Sequence, residues 1–185
     1  MNKRVTFIYL ISLLFLGGIV HAENHHDKSE SDEFSIYESS YTSIAQQDCQ
    51  TLESDNLGSI QECEPFAGMK ITVIEGDVRQ SITLTREDKK YELNFWNTIS
   101  SGFSSLGLTL EWRYKRNHKD NPLGMIVRLE VNEDEEDLDK VTSYLVVSKI
   151  TEQEICVVGK VEPQKDQNDV AQRMVESATQ MTCLK

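Results

Sequence analysis

The sequence predicts an α+β fold: a twisted antiparallel sheet with one C-terminal amphipathic helix packed on it, and two structural disulfides. Three observations lead there. Apolar and polar residues alternate in strand-like fashion from about residue 48 to 161. The period then becomes helical, with Val170, Ala171, Met174, Val175, Ala178 and Met181 on one face. Four cysteines, Cys49, Cys63, Cys156 and Cys183, follow an opening segment that reads as an export signal.

That segment sets the compartment. Lys3 and Arg4 precede an uncharged run from Val5 to Val20, and Val20-His21-Ala22 offers small residues where a signal peptidase reads. The run is short for a bilayer span, so no transmembrane anchor is expected after cleavage, and no nearby cysteine offers a lipid site. Residues 1–22 are therefore expected to be a signal peptide, 23–39 a flexible acidic leader and 40–185 a single domain. The expected localisation is periplasmic or secreted. There an even number of cysteines implies disulfides. Four cysteines allow three pairings; proximity favours Cys49–Cys63 with Cys156–Cys183 without excluding the others.

Within the domain, Leu108, Leu110, Trp112 and Tyr114 alternate with Thr109, Glu111, Arg113 and Lys115, which predicts a half-buried strand. Met69, Ile71 and Val73 form a similar stripe, as do Met125, Val127, Leu129 and Val131. Tyr144-Leu145-Val146-Val147 is apolar on both faces and is expected centrally in the sheet. Ile155-Cys156-Val157-Val158 follows as its neighbour, through a turn at 151–154. The helix is expected from about 167 to 181, after the break at Pro163, with Asp166 or Asn168 as its cap.

Several strings in this frame resemble a group of small exported proteobacterial proteins. They are Ser40-Tyr41-Thr42-Ser43-Ile44, Gly76-Asp77-Val78-Arg79-Gln80-Ser81, Leu106-Gly107 with Glu111-Trp112-Arg113, Thr142-Ser143-Tyr144-Leu145-Val146-Val147, and Asp166-Gln167-Asn168. The likeness spans roughly residues 40 to 183. It implies an exported, disulfide-bonded single domain and brings no activity with it.

Charge narrows the partners. The chain carries −12 overall. Loss of residues 1–22 removes two of its 19 basic residues and none of its 31 acidic ones, leaving −14. Such a balance argues against nucleic acid and anionic membrane surfaces. Catalytic signals are thin: His25 and His26 fall in the leader, His118 falls in a polar turn, and no G-x-S-x-G string occurs. Disulfide pairing would also remove every thiol nucleophile. Glu130, Glu133, Asp134, Glu135, Glu136, Asp137 and Asp139 read as a solvated hairpin loop, since they lack the alternation and central glycine of a calcium loop.

Three groups stand out as candidate sites. Cleavage after Ala22 would expose Glu23-Asn24-His25, whose amine, two amide nitrogens and imidazole suit square-planar copper(II) or nickel(II). Phe103 is the apolar tip of a Ser- and Gly-rich loop. Arg113, Lys115 and Arg116, with Lys119 nearby, form a basic patch that either receives an anionic ligand or balances acids on neighbouring strands. The expected function is binding without catalysis, with another envelope or secreted protein as partner. The alternatives are an inhibitor of a hydrolase such as a lysozyme and, behind it, a hydrolase.

Overall fold

The computed structural model describes residues 35–185 except positions 135 and 138. Ten strands follow one another: β1 (Tyr37–Ser43), β2 (Gln50–Ser54), β3 (Gly58–Phe66), β4 (Met69–Gly76), β5 (Arg79–Arg86), β6 (Lys89–Glu92), β7 (Phe103–Lys115), β8 (Gly124–Asn132), β9 (Val141–Ile150) and β10 (Ile155–Val161). A one-turn helix α1 (Phe95–Thr98) precedes β7, and α2 (Gln167–Ser177) follows β10. The main path of the sheet runs β10-β9-β8-β7-β5-β4-β3-β2, with β1 added to β7 and β6 added to β5.

Pairing is antiparallel except at one point. Arg79 of β5 meets Ser104 of β7 in parallel, so the sheet is mixed and the purely antiparallel expectation is corrected. The cause is the connection between them. After the β5–β6 hairpin, the Leu93 N–H bonds the Ile82 carbonyl at 3.0 Å and the Phe95 N–H bonds Ser81 Oγ at 3.1 Å. The chain is thereby led back to the start of β5 before β7 begins, and β7 leaves in the same direction.

The sheet curls around one core. Ile71, Val73, Ile82 and Leu84 from one half share it with Leu110, Trp112, Met125, Val127, Leu129 and Val146 from the other. Phe66 stacks on Trp112 with ring centroids 4.8 Å apart, joining β3 to β7. Trp112 is wholly buried, and its indole N–H reaches Thr42 Oγ1 of β1 at 3.0 Å, which satisfies its one polar atom. A second cluster lies on the outer face. There Ile126, Leu145, Val147, Val158 and Val161 are covered by Ala171, Val175 and Ala178. Tyr144–Val147 is apolar on both faces because Tyr144 and Val146 enter the inner core while Leu145 and Val147 meet the helix.

Some local expectations change. Leu108 is 67% exposed, because register shifts between Leu106 and Leu110 place it in a bulge. α2 begins where its spacing predicts and continues into a tight turn at Ala178–Gln180, but neither Asp166 nor Asn168 makes a side-chain cap bond. Residues 37–39 of the expected leader belong to β1, while 23–34 lie outside the described residues.

The disulfides join Cys49 to Cys63 and Cys156 to Cys183, and no cysteine is free. Each closes a short loop and contributes about 3 kcal/mol by restricting the unfolded chain. The second secures the C-terminal segment beside α2, helped by Lys149. The Nζ of this buried lysine donates to the Met181 carbonyl at 2.7 Å and pairs with Glu154 at 2.6 Å. No helix among the described residues is long and apolar enough to cross a membrane.

Candidate binding end of the sheet

The basic patch is largely spent on the fold. Arg113 donates through Nε and Nη2 to Glu176 Oε1 at 2.9 and 2.6 Å, and through Nη1 to Ser39 Oγ at 3.1 Å. Arg116 pairs with Glu38 at 3.1 Å, and the Lys119 ammonium lies 5.6 Å from the Phe66 ring centroid. Lys115 stays exposed, opposite Tyr37. Arg113 and Arg116 thus balance acids on α2 and β1. Phe103 and Arg113 share β7 but stand ten residues apart, roughly 30 Å along a strand, so the structure does not assemble them into one site. Glu23, Asn24 and His25 lie outside the described residues.

Phe103 instead belongs to a different group. It opens β7, rather than capping a free loop, opposite Asn132 of β8. Beside it stand two turns. The β4–β5 hairpin turns through Asp77 and Val78, at φ 50° and 59°, and the β2–β3 hairpin turns through 55–57. Backbone hydrogen bonds tie the three together. Asp77 N–H reaches the Leu57 carbonyl and Ser104 N–H reaches the Val78 carbonyl, both at 3.0 Å. Leu57 is 78% exposed, Val78 62% and Phe103 43%, so three large apolar side chains project from one end of the sheet.

The base beneath them is well fixed. Asp55 Oδ1 accepts the Leu57 and Gly58 N–H groups at 2.7 and 3.0 Å. A Cβ at Gly58 would lie 2.0 Å from the Glu75 carbonyl oxygen, and one at Gly102 would lie 2.2 Å from that of Asn132. Glycine alone lets these loops approach so closely. Arg79 completes the assembly: Nε donates to the Ser101 carbonyl at 2.8 Å, Nη1 pairs with Asp77 at 2.6 Å, and the guanidinium lies 5.0 Å from the Phe103 ring centroid.

Acids flank the ridge. Asp55, Glu75 and Asp77 lie in or beside the turns that carry Leu57 and Val78, and the β8–β9 hairpin with Glu133, Asp134, Glu136, Asp137 and Asp139 begins beside Phe103. The basic residues of these turns are already paired, Arg79 with Asp77 and Lys140 with Asp134 at 3.2 Å. The Lys140 hydrogen bond, aided by the Glu136 N–H, holds the Asp134 carboxyl below its ordinary range. A cleft of about 330 Å³ opens between the Leu57 and Val78 turns.

At the opposite ends of the strands, a cleft of about 540 Å³ is bordered by Arg86, Glu87, Asp120, Asn121 and Glu152. Its one cation, Arg86, is committed to the Thr151 and Glu152 carbonyls at 2.6 and 2.9 Å. His118 sits in the exposed turn after β7, where its Nδ1 bonds the Arg116 carbonyl at 2.9 Å. Among the described residues, the one set of three metal-type side chains is Glu154, Cys156 and Cys183, whose sulfurs are joined to each other.

The sequence singles out Phe103, which stands 43% exposed at the start of β7, and does not single out Leu57, Val78 or Arg79. A signal for Val78 does exist: Gly76-Asp77-Val78-Arg79 puts a β-branched residue where a two-residue hairpin turn favours Asn or Gly. No family model matches the chain, and neither a curated protein nor a solved structure is detectably similar to it. The functional reading therefore rests on the site.

Proposed function

We propose that this chain works outside the cytoplasm, in the periplasm or the medium, as a binding protein with no catalytic centre of its own. Its target is another envelope or secreted protein. The observation that supports this reading is the exposed ridge of Leu57, Val78 and Phe103 on a rigid, hydrogen-bonded base. Apolar side chains grouped on fixed turns are what a protein contact uses, because little conformational entropy is lost when they are covered. In-cell crosslinking and affinity capture test it, with wild type beside a Leu57→Ser/Val78→Asn variant. A dominant partner lost from the variant supports the reading. Capture of the protein alone, or of partners indifferent to the substitutions, overturns it.

A second reading, inhibition of a hydrolase such as a lysozyme, is favoured by the form of the same end. Turns that carry apolar side chains between acidic flanks suit entry into an enzyme's cleft. Loss of peptidoglycan turnover on mixing supports inhibition, and undiminished turnover at excess protein removes it.

A further inference from the structure

Resting on the binding reading, we propose that the ridge docks into an apolar cleft bordered by basic side chains, on a cationic protein. Three independent features of this end converge on that chemistry.

The first is shape. Leu57 and Val78 project from hairpin turns on either side of the cleft of about 330 Å³, and Phe103 stands on the adjoining strand start, so the exposed apolar side chains are the protruding elements of this end and what receives them is recessed and apolar. The second is charge. With Arg79 paired to Asp77 and Lys140 to Asp134, the carboxylates left over in and beside these turns, Asp55, Glu75, Glu136, Asp137 and Asp139, make this end net negative. A partner with an acidic rim would meet uncompensated repulsion and one with a neutral rim would gain no steering; one with a basic rim would be drawn in and oriented.

The third is the conformation of Val78. Left-handed backbone is uncommon for any side chain and a true outlier for a β-branched one. Two other hairpins of this sheet make the comparison. The β3–β4 turn places Gly68 at the corresponding second position, and the β5–β6 turn places Asp88 there, at φ 74° and 64°. Both tolerate that region, as Val does not. Here a residue ill-suited to the turn presents an exposed isopropyl group at the centre of the ridge. A turn serving only to reverse the chain gains nothing from it; a turn that inserts an apolar side chain into a partner does.

A basic lysozyme serves as the probe, being cationic and cleft-bearing, with its succinylated form as the same protein made anionic. Binding of each to the full exported protein is measured by calorimetry between 25 and 300 mM NaCl. The expected result is binding of the native probe, weakened at least about tenfold across that salt range, and none of the succinylated form. Leu57→Ser/Val78→Asn should weaken it at least about tenfold at fixed salt, and Glu136→Lys/Asp139→Lys should flatten the salt dependence. Val78→Asn relieves the turn, and a thermal midpoint of the double variant no lower than wild type separates lost binding from unfolding.

Absence of binding to native lysozyme overturns the inference. Equal binding of the two forms does so too, as does binding unaffected by the ridge substitutions. The in-cell capture separates the two readings: a ridge-dependent partner of net negative charge leaves the binding reading standing and removes this one.

Discussion

The Arg79 guanidinium lies over the Phe103 ring, 5.0 Å from its centroid, while its Nε holds the Ser101 carbonyl at 2.8 Å. One side chain thus joins the β4–β5 hairpin to the start of β7, at the single place where the sheet turns parallel. Arg79→Gln removes the bridge without touching the core. Amide exchange at Gly102 and Ser104 should accelerate at least about tenfold, while global stability falls by no more than about 1 kcal/mol. Unchanged exchange at those amides would show that the loop holds itself.

Val78→Asn is expected to stabilise the fold. The left-handed turn penalises Val by about 1 kcal/mol relative to a residue that accepts that region. For a domain of this size the midpoint of thermal unfolding should rise by about 2–4 °C. A lower midpoint would mean that the Val78 side chain makes contacts outweighing the turn.

Tyr144 provides a pH prediction. Burial, reinforced by the hydrogen bond its Oη donates to Glu133 at 2.8 Å, pushes its pKa up to about 12 from 10. The folded state binds this proton more tightly than the unfolded state does. The associated stability is therefore complete below pH 10 and disappears as pH rises through 12, a loss of roughly 2–3 kcal/mol. Ultraviolet titration should show one phenol ionising near pH 12, absent from Tyr144→Phe. If the two proteins gave identical titrations and identical alkaline stability profiles, the assignment would be wrong.

The Arg113–Glu176 pair fastens α2 to β7 and is mostly shielded from water, with side chains 12% and 20% exposed. Removing either partner strands the other charge against the helix. Arg113→Ala or Glu176→Ala should each cost about 2 kcal/mol in urea unfolding, and the double variant should cost clearly less than their sum. Additive losses would show that the pair acts as two independent surface charges.

Much of the fold is legible in the sequence because it depends on periodicity. Met69-Ile71-Val73 and Met125-Val127-Leu129-Val131 are buried as their alternation predicts, and the helical spacing after 167 locates α2. Leu108 departs from that pattern because a bulge inserts residues without altering the local alternation that periodicity reads. The parallel Arg79–Ser104 pairing is equally hidden: it depends on where α1 returns the chain, not on the character of either strand.

By itself the sequence determined the cysteine complement, the strong negative charge, the strand and helix periods and the acidic hairpin, all of which reside in local composition. Tertiary structure decided which cysteines join and where each charge is answered. It assigned Arg113 and Arg116 to Glu176 and Glu38, 63 and 78 residues away. It also placed Leu57, Val78 and Phe103 together, although they come from two separate turns and the start of a third strand. The physical reason is the same throughout: local sequence sets which way a residue faces, whereas its neighbours depend on how distant strands pair when the sheet curls around its core.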